Sequence, residues 1–329
     1  MKDLLRRFKP DFLLTGIVTA LILGLVVPVP DDVAAVFSTI ADIGVGMVFL
    51  VYGMRLRTSE VIEGLKNIKL QTAVLAATYV IFPLLGLAFY WLTGSIIGTA
   101  FATGLLYLSL LPSTVQSSVT FVSIARGDVA SAVCAATISN ILGMFLTPVL
   151  VLVFMNMDDA STGGIQSVLL KLLLPFVIGQ FLQPFVGDWM RGHRNLTKIT
   201  DNSAIILVVF SAVVKATNDG AWTSVTLGGF IVLCIVLSAL LAIILTFTWY
   251  GGRILGFPRD EKIVLLMCGS KKSLATGLPM AKALFDPAIV GAVAVPVIIF
   301  HQIQLMVAAV LARRLGREDA PEPLPDQAG

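Results

Sequence analysis

Lys271 and Lys272 stand side by side in Met267-Cys-Gly-Ser-Lys-Lys-Ser-Leu-Ala-Thr-Gly-Leu-Pro279, where they and the hydroxyls of Ser270, Ser273 and Thr276 interrupt a long apolar run. Such a block offers electrostatic chemistry: an ammonium can hold an anion, stand in for a bound metal cation, or lose and regain a proton. A cation at the centre of a bilayer-spanning helix costs about 2.5–3.5 kcal/mol even on lenient insertion scales, so it faces a partner or a watery cavity. Counted from the charged cluster Arg259 to Lys262, Lys271 lies nine residues on, about 14 Å at helical rise and near the middle of a hydrocarbon core about 30 Å thick. That is too deep to reach the interface easily. Gly269 before the pair, and Gly277 and Pro279 after it, weaken the helix, and freed backbone groups are tolerated at that depth only where protein or a cavity receives them.

A second polar block, Leu110-Leu-Pro-Ser-Thr-Val-Gln-Ser-Ser-Val-Thr120, interrupts an earlier apolar run and supplies Ser113, Thr114, Gln116, Ser117 and Ser118. Ser118 precedes Arg126 by eight residues, about 12 Å of helix, which brings it to nearly the level of Lys271. The spacing predicts two broken helices meeting near the bilayer midplane. The competing expectation is that the hydroxyls only tighten helix packing. Asn140 and Thr137 in one later run, and His301, Gln302 and Gln304 in another, are further candidates to line that crossing. His301 is either a proton carrier or a hydrogen-bonded packing residue. Asp42, an acid well inside a run, is a candidate counter-charge or proton carrier, with a water-facing position as the alternative. Lys171 and Lys215 lie near the ends of their runs, where a lysine can snorkel. Cys134, Cys234 and Cys268 have no metal-ligand spacing and read as small packing residues.

The elements that must position these residues follow from composition. Of 329 residues, 57% are hydrophobic and 13% charged, which makes this an all-α polytopic membrane protein and leaves no basic surface suited to nucleic acid. Apolar runs occur at about 12–29, 33–54, 69–93, 97–125, 129–156, 165–187, 202–217, 222–250, 259–284 and 288–313, predicting ten spans. The first is too long for a signal-peptide core and is expected to remain as a span. The amino terminus and the segments around 55–69, 126, 188–201, 251–262 and 313–317 hold most of the 23 Lys and Arg, whereas Asp31, Asp32, Asp158, Asp159, Asp219 and Asp286 occupy the opposite loops. Both termini are therefore expected in the cytoplasm, in an integral protein of the cell (inner) membrane. Thr58 to Lys66 reads as a short amphipathic helix on the inner surface, and residues 318–329 as a disordered acidic tail.

The halves echo one another. Pro112 lies 16 residues before Asp128, and Gly269 lies 17 before Asp286, each break standing at nearly the same distance from the start of the next span. Residues 1–156 and 157–317 then form two five-helix repeats, and because five is odd the second enters the membrane in the opposite sense. Broken helices 4 and 9 are the crossing pair.

At these residues the chain resembles the bile acid:sodium symporter superfamily, and more closely its divergent branch containing the seventh member of solute carrier family 10. Leu-Pro-Ser-Thr, Ser-Ser and Ala-Arg-Gly-Asp-Val-Ala resemble the crossing-helix motif, and Cys-Gly-Ser-Lys-Lys-Ser-Leu-Ala-Thr-Gly-Leu-Pro-Met and Phe-His-Gln-Ile-Gln-Leu resemble signatures of the branch. The resemblance covers almost the whole chain. It implies a panel domain of helices 1, 2, 6 and 7, and a core domain of helices 3–5 and 8–10. It also implies altered sodium sites: the family's ligand positions fall on Ser117 and Ser118, but also on Ala132, Ala136, Met267, Thr78 and Lys271. Sodium at Ser117 and Ser118, a proton, or the Lys271 ammonium itself are the candidate coupling charges, and no other cofactor is implied. Neighbouring helical residues point about 100° apart. Lys271 is accordingly assigned to coupling with Thr78, Ser117, Ser118 and Ser270, and Lys272, as a substrate-side or structural charge, to the group of Ser113, Thr114, Gln116, Ser273, Thr276, Asn140, His301 and Gln302.

The expected function is secondary active transport of a small organic anion, bile-acid-like or another carboxylate or sulfate, by alternating access in a monomer or homodimer within the lipid bilayer. A proton- or cation-coupled exchanger and a non-transporting membrane regulator are the alternatives. No nucleophile with a base, zinc-spaced set or phosphate loop argues for an enzyme.

Overall fold

The computed structural model describes residues 12–55, 67–155, 169–220 and 227–318. The basic lead, the expected surface helix Thr58–Lys66, Asp158, Asp159 and the tail beyond Glu318 lie outside them. Among the described residues there is helix and no strand. The solvent explains why: in lipid each backbone polar group must be satisfied within the protein, and a helix does so within its own segment.

In chain order, α1 is Phe12–Val26 and α2 is Asp31–Arg55, with Asp31 and Asp32 in its first turn. α3 comprises Ile68–Ala76, a π turn Ala77–Ile81, and Phe82–Ile97. α4 is broken into α4a, Thr99–Leu110, and α4b, Val115–Ile124, and α5 is Val129–Phe154, capped by the Asp128 side chain accepting from the Ser131 N–H. α6 is Leu174–Gly192 behind a second π turn, Leu169–Leu173, and is followed by α7, Arg194–Asn218, and α8, Leu227–Ile254. α9 is broken into α9a, Arg259–Gly269, and α9b, Leu274–Leu284, and α10 is Pro287–Glu318. Both π turns run directly into a proline, Pro83 and Pro175, whose missing N–H the wider turn accommodates.

Among the described residues seven helices are long and apolar enough to cross a membrane, and the α4a–α4b pair, bent by 64°, makes an eighth if it is one span. α1 is a shorter apolar helix, and α9a and α9b are charged broken pieces. The outward faces carry bare Phe181, Phe185, Trp91 and Leu227, as lipid-facing surfaces do.

α1, α2, α6 and α7 pack on one another, and α3, α4, α5, α8, α9 and α10 form the other group. α7 joins the two by packing on α10 and α9b, and α2 touches α9b. Within the first group Gly44 and Gly46 on α2 are not closely approached: their nearest neighbours on other helices are 3.4 and 3.9 Å from where a Cβ would sit. The tight crossing is one turn or more further on, where a Cβ on Gly53 would come within 2.2 Å of the Phe176 carbonyl and one on Gly179 within 2.2 Å of the Leu50 carbonyl. Gly251 and Gly252 lie within α8, with Gly252 against the Lys262 stem.

Charges sort to opposite ends of the bundle. At one end Asn67 donates to Glu261, Lys69 to the Leu255 carbonyl, and Arg259 to the Leu315 carbonyl. At the other, Asn218 donates to Asp31 and Lys215 pairs with Asp219 at 2.8 Å.

Candidate functional site

Pro112 ends α4a, because it has no N–H to donate and it drives Leu111 to extended backbone, φ −72° and ψ 155°. Chain continues extended to Thr114, and α4b begins at Val115. α9a stops at Gly269, and α9b restarts when the Ser273 side chain accepts from the Thr276 N–H. The two interruptions, residues 111–114 and 270–273, lie against each other.

They are stitched by backbone groups that the broken helices leave over. The Ser273 N–H donates to the Pro112 carbonyl at 2.8 Å, the Ser113 hydroxyl to Cys268 O at 2.6 Å, and the Ser118 hydroxyl to Met267 O at 3.1 Å. Asn140 reaches both: its Nδ2 donates to Ser113 O at 2.6 Å, and its Oδ1 accepts from the Thr276 hydroxyl at 2.8 Å. Tyr107 donates to Gly277 O at 2.7 Å, and Thr147 to Leu110 O at 2.8 Å.

Lys272 sits at the centre with 1% of its surface exposed. Its Nζ donates to three carbonyls, Thr78 O at 2.9 Å, Ser109 O at 2.7 Å and Leu111 O at 2.7 Å, and lies 4.3 Å from the centroid of the Phe82 ring. Each of these oxygens has been released from its helix for a readable reason. The Thr78 carbonyl would ordinarily accept from Phe82, but in the π turn Phe82 gives its N–H to Ala77 O, and the next residue is Pro83. Ser109 loses its donor because the Ser113 N–H turns to the Ser139 hydroxyl at 3.0 Å. Leu111 lies in the break itself. The ammonium therefore also caps the negative carboxyl end of α4a.

The lysine backbone is held as firmly. Gln304 on α10 accepts from the Lys272 N–H through Oε1 at 2.9 Å and donates from Nε2 to the Lys272 carbonyl at 2.8 Å. Because those two bonds fix which end of the amide is which, Nε2 is also the donor to His301 Nδ1 at 2.9 Å. His301 thus accepts at Nδ1.

Lys271 is as deeply buried but less well received. Its Nζ makes a long contact of 3.4 Å to Ser117 O and lies 4.0 Å from the centroid of the Phe121 ring, a cation–π arrangement. Among the described residues no carboxylate pairs with either lysine. The sequence reading gave the coupling position to Lys271, yet Thr78, named as part of that position, delivers its carbonyl to Lys272. Helix unwinding at 270–273, where helical spacing no longer relates one side chain to the next, sets which of the two adjacent side chains enters the carbonyl cluster.

The other expected residues divide. Ser113, Ser117, Ser118, Ser273, Thr276 and Asn140 converge on the crossing, with the Ser117 hydroxyl donating to Thr114 Oγ1 at 3.3 Å. Ser270 turns back to Leu266 O. Gln116 is exposed on α4b, and Gln302 projects about 100° from His301 on α10. Asp42 meets neither Lys271 nor Lys272: it pairs with Lys282 at 3.3 Å and Lys171 at 3.9 Å. Sequence reasoning passed over Ser139 and Tyr79, whose hydroxyl donates to Ser139 O, and over Lys282 altogether. The Thr78 to Pro83 spacing was the available signal for the cluster around Lys272.

Residues 11–317 match the SBF-like CPA transporter family. The chain is similar to the putative symporter YfeH of Escherichia coli, 39% identical over 95% of this chain and 94% of that protein. It is similar to protein PA2026 of Pseudomonas aeruginosa, 38% identical over 94% of each. To the sodium/bile acid cotransporter 7 of Rattus norvegicus it is 25% identical over 94% of this chain and 93% of the other.

Proposed function

Because the chain belongs to the SBF-like CPA transporter family, we propose that this membrane transporter moves a small organic anion by alternating access, with the Lys272 ammonium built in where a coupling cation would otherwise bind. The observation that carries this is the set of three carbonyls at 2.7–2.9 Å around Lys272 Nζ. Carbonyl oxygens gathered without a carboxylate are ligands for a hard monovalent cation. Here a covalently attached cation takes them up, and the oxygens are satisfied without sodium.

The second lysine receives the anion. An ammonium held, among the described residues, only by one long contact and a ring face retains donors for a carboxylate or sulfate. In this reading the roles of the two lysines are the reverse of those expected from spacing. Ser273, Thr276 and Asn140, which bond to one another at the crossing, are the proposed polar groups on the substrate side.

The proposed architecture is ten spans in two inverted repeats of five. The support is that both polar breaks lie side by side and that both are followed by a helix beginning at Asp128 or Asp286. The α1, α2, α6 and α7 group is the proposed panel and the remainder the core, moving against each other about the crossing. Both termini would lie in the cytoplasm of a cell (inner) membrane protein, since the Lys- and Arg-rich helix ends share one side.

Proteoliposome flux tests the proposal. Saturable uptake of an organic anion should be unchanged when internal and external sodium is replaced by choline, and it should be lost in Lys271→Ala. Full flux in that variant, or a strict sodium requirement in the wild type, removes the assignment. The poor hydrogen bonding of Lys271 also favours a second reading, a proton-coupled mechanism in which that ammonium gives up its proton; flux that follows a pH gradient with sodium absent would select it.

A further inference from the structure

Asp42 and Ser38 lie one turn apart on α2, facing α9b of the other helix group. Lys282 on α9b crosses to both: its Nζ is 3.3 Å from Asp42 Oδ1 and donates to the Ser38 hydroxyl at 2.9 Å. Its side chain is 9% exposed, against 39% for Asp42. A second lysine, Lys171, approaches the other carboxylate oxygen at 3.9 Å, and it belongs to the same helix group as Asp42. Just beyond, α7 and α10 touch across the same boundary: a Cβ on Gly291 would lie 2.8 Å from the Ala212 carbonyl, and Ala212 is 6% exposed. The two groups are therefore closed on each other toward the end of the molecule that carries Asp31, Asp219 and Asp286.

We infer that Asp42 and Lys282 form a latch that shuts this side of the transporter, and that Lys171 is the partner to which Asp42 is handed when the latch opens. The inference rests on the alternating-access reading above. A carboxylate separated from its only cation within a membrane protein is costly, and such a pair would hold the groups shut. Lys171 removes that obstacle because it travels with Asp42. Lys282, two residues from the end of α9b, has the reach to turn its ammonium into the water that fills the opened cleft. One carboxylate between two lysines on different bodies is thus a switch, not a static brace.

The two lysines consequently have opposite effects, which a purely structural role would not produce. The experiment places a reporter thiol, Ala212→Cys, in a chain whose Cys134, Cys234 and Cys268 are replaced by Ser, and measures its labelling in intact cells by a membrane-impermeant maleimide. Lys282→Gln and Asp42→Asn should speed labelling about five-fold, which is about 1 kcal/mol at 1.4 kcal/mol per tenfold. Lys171→Gln should slow it by a similar factor, and Lys282→Arg, which keeps the charge, should behave as the parent and shows that the site tolerates exchange. Equal labelling in all variants, or faster labelling in Lys171→Gln as well as Lys282→Gln, overturns the latch. If labelling is flat while anion flux is found, the latch fails alone. If the opposite signs are found but no substrate moves, the transport reading fails and the hinge motion stands.

Discussion

Pro83 follows Thr78 by five residues, and the N–H that this proline lacks is one reason the Thr78 carbonyl is open to the Lys272 ammonium at 2.9 Å. A residue on α3 with no functional group of its own thereby leaves an acceptor for the ammonium at a crossing formed by α4 and α9. The relationship inverts a common expectation about prolines inside helices.

Replacing a mid-helix proline by alanine normally stabilises a helix. Pro83→Ala should instead destabilise this protein, by about 1–3 kcal/mol, because an ordinary α turn would withdraw the Thr78 oxygen and remove a hydrogen bond to a charged group. Thermal unfolding of the detergent-solubilised variant reads the sign directly. A higher midpoint than the wild type would mean that the released carbonyl contributes nothing.

Lys272→Ala leaves three buried carbonyls without a donor, at about 1–3 kcal/mol each when no water enters. Lys271→Ala forfeits one long contact and a ring interaction, so it should cost less stability and more flux. The vacated oxygens in Lys272→Ala should also accept a free cation. Sodium is then expected to raise the melting temperature of that variant and not of the wild type, by an amount that grows with its concentration as a ligand's does. A sodium response of equal size in both proteins would contradict the built-in cation.

Gln304 is expected to be intolerant out of proportion to its neighbour. Gln304→Leu strands both the N–H and the carbonyl of Lys272 and should cost about 2–4 kcal/mol, while Gln302→Leu should be nearly neutral. Gln304→Glu keeps the acceptor for the N–H and loses the donor to the carbonyl, so it should fall between them. Melting temperatures of the three variants in one detergent give the ranking, and a Gln302 effect as large as that of Gln304 would refute it.

Glycine substitutions should separate the two helix contacts within the α1, α2, α6 and α7 group. Gly53→Ala puts a methyl where the Phe176 carbonyl stands and has to push α2 off α6, at about 1–3 kcal/mol. Gly46→Ala meets its nearest atom at 3.9 Å and should be tolerated or slightly stabilising. Comparable melting temperatures for the two would argue that the helices pack less closely.

Much of this was readable from the chain. Polar residues that interrupt apolar runs cannot be hidden, so the breaks at Pro112 and Gly269, and their approach to each other, were visible in the spacing. The family was visible in the same motifs. The choice between Lys271 and Lys272 was not, because it depends on how the backbone unwinds over four residues, where helical geometry no longer relates one side chain to the next. Asp42 was visible as an acid needing a counter-charge, but its partner Lys282 lies 240 residues away, and only the packing of α2 on α9b selects it from the other lysines. Gly53 went unremarked for a similar reason: a small residue permits close approach, and the neighbouring helix determines where that permission is used.

The ammonium in the carbonyl cluster has a thermodynamic corollary. A charge joined to the polypeptide by a carbon chain never dissociates into either compartment, and a species that stays put extracts no work from a concentration difference across the membrane. If solute accumulates uphill, the energy has to enter elsewhere, through protons, through a counter-substrate leaving by the same route, or through the electrical potential acting on the cargo. A mobile ion at this position would be fuel; a tethered one is permanent wiring.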